Sequence, residues 1–121
     1  MIDKRKHYYL VLDTETANGL DDALVYDLGG CVVDKRGTIY AQFSFTIRDI
    51  FVYERELMRT AYYADKIPSY VKEHHEGTRK MVSFYDARQY VLALMREYNI
   101  TDVCAYNANL IVTHLIPHKD G

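Results

Sequence analysis

Residues 7–16, HYYLVLDTET, join an apolar run to a closely spaced pair of carboxylates, and the fold prediction starts from them. Tyr, Val and Leu are enriched in β-strands. The run is apolar almost throughout, which is typical of a strand that is covered on both faces. The sequence therefore predicts a central strand over residues 7–14, with its carboxylates at the exposed end.

Two further strand patterns follow on the C-terminal side. Residues 24–34 (LVYDLGGCVVD) form the first, and the pair Gly29 and Gly30 within it indicates either a β-bulge or a close approach of another backbone. Residues 38–47 (TIYAQFSFTI) alternate between apolar and polar side chains, as expected for a strand with one buried face. A short turn at Gly37 separates the two patterns.

The second half of the chain predicts helices and one more strand. Residues 54–64 have helical content, and a short helix should end near Gly77. The strongest helix pattern covers residues 84–98, with Ser83 as its N-cap, and residues 102–106 then form a short strand. This order predicts an α/β fold. Its mixed sheet has a three-strand antiparallel part, a helical crossover, and a fourth strand parallel to the first.

Composition indicates one domain without an obvious charged partner. The 121 residues carry 15 Lys and Arg against 17 Asp and Glu, a net charge of −2. The overall charge therefore gives no indication of nucleic-acid binding. The N-terminal region lacks the apolar stretch of a signal peptide, and no run is long enough for a membrane span. We therefore expect a soluble, cytoplasmic protein. Cys31 and Cys104 lie in apolar segments and should be buried free thiols, with a disulfide as the alternative.

The carboxylates Asp13 and Glu15 carry the clearest chemical signal. Residues at i and i+2 of a strand point to the same face, roughly 6.5–7 Å apart along the chain. Two such oxygen donors can share a divalent cation such as Mg²⁺ or Mn²⁺. An isolated pair of this kind is usually a solvated strand end, but the apolar strand that precedes it favours a metal site.

The motif at residues 13–16, Asp-Thr-Glu-Thr, resembles the opening motif of the DEDD 3′–5′ exonuclease superfamily, the proofreading-type exonucleases with a ribonuclease H-like fold. The continuation at residues 25–30 and the hairpin to residues 43–45 are similar as well. The likeness is strongest to exonuclease-like proteins of phages and mobile elements. It implies a single exonuclease-like domain over residues 1–115 with a tail at 116–121.

The resemblance also implies roles for particular residues. It assigns catalytic metal binding to Asp13 and Glu15, and contact with the 3′-terminal nucleotide to Thr14 and Thr16. The second motif of the family reads Asn-x-x-Phe-Asp, and in the matching stretch of this chain Asn107 occupies the Asn position. We therefore expect Asn107 to take part in nucleic-acid binding.

The later motifs depart from the family pattern. Leu110 and Ile111 occupy the Phe and Asp positions, so the third carboxylate is missing. The chain given ends at Gly121, before the helix that would supply the fourth carboxylate and its general base, which predicts a truncated ribonuclease H-like fold. Two-metal cleavage needs cations about 3.5–4 Å apart. Two carboxylates hold one weakly bound Mg²⁺ or Mn²⁺ at best.

The remaining histidines and tyrosines give weaker signals. His74 and His75 lie on a charged helix end and should be solvated, and His114 and His118 are tail residues. The 12 tyrosines fit core packing, a protein interface or stacking on nucleic-acid bases, and the sequence leaves these three uses open.

Two functional hypotheses follow. The favoured one is a degenerate exonuclease-like domain without nuclease activity, which binds a protein or nucleic-acid partner. A homodimer or a protein partner would cover the open part of its sheet, and one specific form is an inhibitor of a host nuclease or of a CRISPR effector. The alternative is an active Mg²⁺- or Mn²⁺-dependent 3′–5′ exonuclease that a second chain or a further C-terminal segment completes. The sequence therefore leaves open whether the protein is an enzyme, and the missing motifs favour a protein that is not one.

Overall fold

The computed structural model describes residues 2–17, 24–59 and 64–105, and within them three consecutive strands are followed by short helices, a short strand, a longer helix and a last strand. Asn107, Ile111 and the tail at 116–121 lie outside the described residues. The elements in chain order are β1 (Tyr8–Ala17), β2 (Leu24–Asp34), β3 (Ile39–Ile47), α1 (Arg48–Phe51), α2 (Arg55–Arg59), a 3₁₀ turn (Ala64–Lys66), α3 (Ile67–Glu76), β4 (Lys80–Val82), α4 (Phe84–Glu97) and β5 (Asp102–Ala105).

The strands form one five-stranded mixed sheet in the order β4-β3-β2-β1-β5. The pairs β1–β2 and β2–β3 are antiparallel, and β5 lies parallel to β1. The predicted antiparallel part and the parallel return strand are therefore confirmed. The sequence did not predict β4, whose three residues pair in parallel with the end of β3.

A core of apolar side chains fills the space between α4 and one face of the sheet. Leu10, Val32 and Ile47 from three adjacent strands are completely buried. Ala87 and Val91 of α4 are also fully buried in this cluster. Burial on this scale is the main stabilising contribution, at about 1.5–3 kcal/mol for each large aliphatic side chain. The core therefore fixes which face of β1 points away from α4.

The described residues cover the opposite face of the sheet near one end only. Tyr26, Met58 and Tyr70 form a second, smaller buried cluster, which joins β2 to α2 and α3. Farther along the same face, Val11 and Gln42 remain exposed among the described residues. The end of the sheet that holds Asp13 and Glu15 is thus the end on which α3 packs.

The two glycines of β2 have different surroundings. A Cβ atom at Gly30 would lie 2.7 Å from Phe43 Cζ, 2.8 Å from Leu12 Cδ2 and 2.8 Å from the Val11 carbonyl oxygen. At Gly29 the nearest atom would be 3.7 Å away. Of the two alternatives that the sequence left open, Gly30 is therefore the site of a close approach. The register shifts lie elsewhere, at Tyr26 of β2 and at Tyr40 of β3.

Helix boundaries follow the predicted capping residues where these exist. Ser83 Oγ accepts a hydrogen bond of 3.0 Å from the Asp86 amide at the start of α4. Gly77, with a φ of 78°, ends α3 in the left-handed conformation. Of the helix predicted over 54–64, α2 forms Arg55–Arg59, residues 60–63 lie outside the described residues, and Ala64 begins the 3₁₀ turn.

The cysteines are free, as predicted, but the expectation that both are buried is wrong. Cys104 is exposed, and Cys31 is half-buried. Both pair with Val11, from opposite sides of β1, so the two thiols lie two strand spacings apart. That separation is about 10 Å, well beyond the 7 Å limit for the Cα atoms of a disulfide. In the described ranges, no helix is long and apolar enough to cross a membrane.

Candidate functional site

The predicted carboxylate pair lies toward the C-terminal end of β1. Asp13 pairs with Gly29 of β2, and Glu15 pairs with Asp27. Strand alternation places Asp13 and Glu15 on the face that points away from α4, with Asp13 exposed and Glu15 half-buried. Thr14 lies between them and takes the opposite face, whereas Thr16 follows the point at which the register shifts. The structure thus brings the two carboxylates together but separates them from Thr14.

Asp27, opposite Glu15, adds a third carboxylate to this end of the sheet, next to a β-bulge. The register passes from Glu15 opposite Asp27 to Thr16 opposite Val25, so Tyr26 is an extra residue in β2. Tyr26 packs against the Tyr70 ring at 6.2 Å between centroids, and Asp27 accepts a hydrogen bond of 3.0 Å from the Tyr70 hydroxyl. Both successive residues of the bulge therefore contact the same side chain of α3.

The guanidinium of Arg79 neutralises Asp27. Arg79 Nη1 lies 2.6 Å from Asp27 Oδ1, and Arg79 Nε donates to Glu73 Oε2 at 2.9 Å. The same guanidinium lies 4.5 Å from the centroid of the Tyr70 ring, which is a cation–π distance. The Arg79 and Asp27 side chains are only 12% and 15% exposed, so this ion pair is largely screened from water. We call Asp27, Tyr70, Glu73 and Arg79 the Arg79 network.

The ionisation of the Arg79 network is fixed by its surroundings. Burial alone would lower the pKa of the Arg79 guanidinium, but hydrogen bonds and charges from Asp27 and Glu73 raise it above its usual value. Burial raises the pKa of the Tyr70 hydroxyl, and the adjacent Asp27 carboxylate raises it further. Tyr70 therefore remains a neutral hydrogen-bond donor, and Arg79 remains a cation.

The surroundings of Glu15 disfavour its negative charge. Burial raises the pKa of its carboxyl group, and the negative charges of Asp13 and Asp27 raise it further, against a smaller opposite effect of Lys66. A raised carboxyl pKa means that the folded protein disfavours the ionised form. A cation bound beside Asp13 and Glu15 would relieve this repulsion.

We expect Glu15→Gln to increase the free energy of unfolding at pH 7. Since the folded-state pKa of Glu15 is raised, the folded protein holds its proton more tightly than the unfolded chain does. Wild-type stability should therefore fall as the pH rises from about 4.5 through that folded-state pKa. Urea unfolding at pH 4 and pH 7 measures the difference, which should nearly vanish at pH 4. Equal stability of both proteins at pH 7 would contradict the proposed repulsion.

The prediction that His74 is solvated is wrong. Its Nε2 atom lies 3.0 Å from Oγ1 of the fully buried Thr46, and its ring packs edge-on against Phe51. Burial lowers the pKa of His74, and the nearby Arg79 lowers it further. His74 is thus a neutral residue that ties α3 to β3. His75 is exposed, as the sequence indicated.

Two of the three carboxylates at this end of the sheet have oxygens that could bind a divalent cation. Asp13 and Glu15 offer carboxylate oxygens, whereas both oxygens of Asp27 are occupied by Arg79 and Tyr70. Mg²⁺ is commonly held by one or two carboxylates and several waters. In the described segments, no group of three or more His, Cys, Asp and Glu residues has an arrangement that holds a metal ion.

Sequence reasoning missed the role of Asp27 and all of the Arg79 network. Asp27 is the one charged residue inside the apolar pattern of β2, and such a residue usually needs a buried partner. That signal was present in the sequence. Nothing in the sequence near Arg79 indicated that it would be this partner, because it follows α3 and is 52 residues away along the chain.

Fold and site together define a class: an α/β protein with a five-stranded mixed sheet, compatible with a ribonuclease H-like fold, and with carboxylates at the end of its first strand. Comparison with protein-family models, curated proteins and solved structures finds no match to this chain. The class therefore rests on the topology and on the residues themselves.

Proposed function

We propose that this protein is a degenerate exonuclease-like domain that acts by binding a partner and does not cleave nucleic acid. One observation carries the proposal. Asp27, the third carboxylate beside Asp13 and Glu15, is neutralised by Arg79 and hydrogen-bonded by Tyr70. Only two carboxylates then remain for exogenous cations at this end of the described sheet.

The chemistry of phosphodiester cleavage explains why this matters. Two-metal catalysis places one cation at the attacking water and another at the leaving oxygen, and several carboxylates must offset that charge. Asp13 and Glu15 are sufficient for one hydrated Mg²⁺ or Mn²⁺. The sequence supports the same conclusion, since Ile111 stands where the resemblance places a further carboxylate.

The two remaining carboxylates and the exposed part of the sheet are compatible with a binding role. A single cation at Asp13 and Glu15 would attract the phosphates of a nucleic-acid end, with Thr16 and Asn107 as further contacts. The exposed part of the sheet face around Val11 and Gln42 suits a protein partner or a second copy. In the specific form of this proposal, a cytoplasmic protein of a phage or mobile element inhibits a host nuclease or a CRISPR effector.

A nuclease assay tests the proposal most directly. We expect no shortening of a 3′-labelled or 5′-labelled single-stranded oligonucleotide at micromolar protein with Mg²⁺ or Mn²⁺, beyond the level of the Asp13→Asn/Glu15→Gln double variant. Fluorescence anisotropy with Ca²⁺ in place of Mg²⁺ should measure binding under the same conditions. Light scattering after gel filtration should report whether the chain is a homodimer.

Metal-dependent digestion from the 3′ end that disappears in the double variant would contradict the proposal. It would establish the alternative, an active 3′–5′ exonuclease. Digestion that persists in the double variant is contamination, which a second purification step removes. A monomer that binds neither nucleic acid nor protein would also contradict the proposal, because a binding domain needs a partner.

A further inference from the structure

A cavity at the opposite end of β1 from the carboxylates has no role in the proposed function. It lies between residues 2–8 and the turn at residues 96–101, where α4 leads into β5. Its volume is about 660 Å³, which is within the usual range of small-molecule sites. The cavity is therefore large enough for an organic ligand, not only for an ion.

The cavity lining is strongly cationic for a chain of net charge −2. Four positively charged side chains and one carboxylate, from Glu97, line it, and the cations are Lys4, Arg5, Lys6 and Arg96. Such a concentration of one sign of charge raises the local concentration of ligands with the opposite sign. The ligand should thus be an anion.

Two of these cations already have partners outside the cavity lining. Arg5 Nε is 3.1 Å from Asp3 Oδ1, and Lys6 Nζ donates to the Tyr40 hydroxyl at 3.0 Å. Lys6 is also 3.7 Å from Asp34. By contrast, none of the ion pairs between described residues includes Lys4 or Arg96. These two side chains are therefore the ones that a ligand would engage.

The cavity lining is partly apolar, and its two tyrosines, Tyr8 and Tyr98, form what we call the tyrosine floor. The rings of Tyr8 and Tyr98 meet edge-to-face at 5.1 Å, and Tyr40 contacts Tyr8 at the same distance. Asn99 and Thr101 add hydrogen-bonding groups, and Ile2 adds apolar surface. A preformed floor of this kind lowers the entropic cost of binding an organic group.

We propose that this cavity binds a phosphorylated small molecule, with its phosphate held by Lys4 and Arg96 and its organic part against the tyrosine floor. Lysine and arginine are the usual partners of phosphate oxygens, and arginine donates two hydrogen bonds at once. The volume favours a sugar phosphate or nucleotide over free phosphate. The site does not depend on Asp13 or Glu15, so it stands apart from the proposed function.

Isothermal titration of the full chain with four probes tests this proposal. The probes are adenosine 5′-monophosphate, ribose 5-phosphate, inorganic phosphate and adenosine. We expect saturable binding of one or both phosphorylated organic probes, and at least tenfold weaker binding of phosphate and adenosine. Arg96→Gln and Lys4→Gln should each weaken binding at least tenfold, or by about 1.4 kcal/mol or more, because each removes a charge-assisted hydrogen bond to the phosphate.

Arg59→Gln and Lys35→Gln are matched controls, because both side chains are exposed and neither lines the cavity. They should leave the dissociation constant unchanged. The proposal is overturned if no phosphorylated probe binds saturably at millimolar concentration, or if Arg96→Gln and Lys4→Gln bind as the wild type does. Binding of inorganic phosphate as tight as that of either organic probe would also overturn it.

Discussion

Arg79→Met should lower the free energy of unfolding by about 3–5 kcal/mol. Methionine retains most of the apolar length of the arginine but leaves the largely buried Asp27 carboxylate without its counter-ion. Breaking one partner of a buried pair is costly because the remaining charge has neither water nor a cation nearby. Urea unfolding followed by circular dichroism measures the loss, and the urea midpoint should fall with an unchanged slope.

Arg59→Met is the matched control for this prediction. Arg59 also forms an ion pair, 3.4 Å from Glu56, but both side chains are mostly exposed. An exposed pair of this kind contributes about 0–1 kcal/mol. In the Arg79→Met background, Asp27→Asn should recover part of the lost stability because it removes the unpaired charge. Similar losses in Arg79→Met and Arg59→Met would show that Asp27 does not depend on Arg79.

Gly30→Ala should lower the free energy of unfolding by up to about 3 kcal/mol, near the upper end for overpacking. The new methyl group would meet Phe43, Leu12 and the Val11 carbonyl oxygen, all within 2.8 Å. Side chains can rotate away, but the carbonyl belongs to a strand paired on both sides. Differential scanning calorimetry measures the effect, and the melting temperature should fall by roughly 10 °C.

Gly29→Ala provides the neighbouring comparison. Its Cβ would have no atom closer than 3.7 Å, and its backbone does not require a positive φ. This substitution should be neutral or slightly stabilising, because alanine restricts the unfolded chain more than glycine does. If Gly29→Ala destabilises as much as Gly30→Ala, then the effect arises from strand flexibility and not from the close approach.

The parts of the fold that the sequence predicts are those with long periodic patterns. The strands β1, β2 and β3 and the helix α4 each extend over 9 residues or more, which is enough for a period to be recognised. β4 has three residues and no pattern of its own. It is a strand because tertiary packing places it beside the end of β3, and single-sequence patterns contain no such information.

The candidate site also has one part that the sequence predicts and one part that it does not. The shared face of Asp13 and Glu15 follows from strand alternation alone. The position of Asp27 opposite Glu15 depends on the register between β1 and β2, and the orientation of Tyr26 depends on the bulge beside it; the sequence showed neither. Cys104 was expected to be buried because its segment is apolar, but its side of β5 belongs to a face that the described residues leave open.

The parallel pairing of β1 with β5 has a consequence for how the chain folds. Tyr9 pairs with Asp102, so more than 90 residues separate the two partners, whereas β1, β2 and β3 join through neighbouring segments. Pairings with large sequence separation form slowly because loop closure must come first. During synthesis the outer edge of β1 therefore waits unpaired until β5 leaves the ribosome, and unpaired strand edges promote aggregation. The nascent chain should therefore depend on chaperones most while β1 is complete and β5 is not yet synthesised.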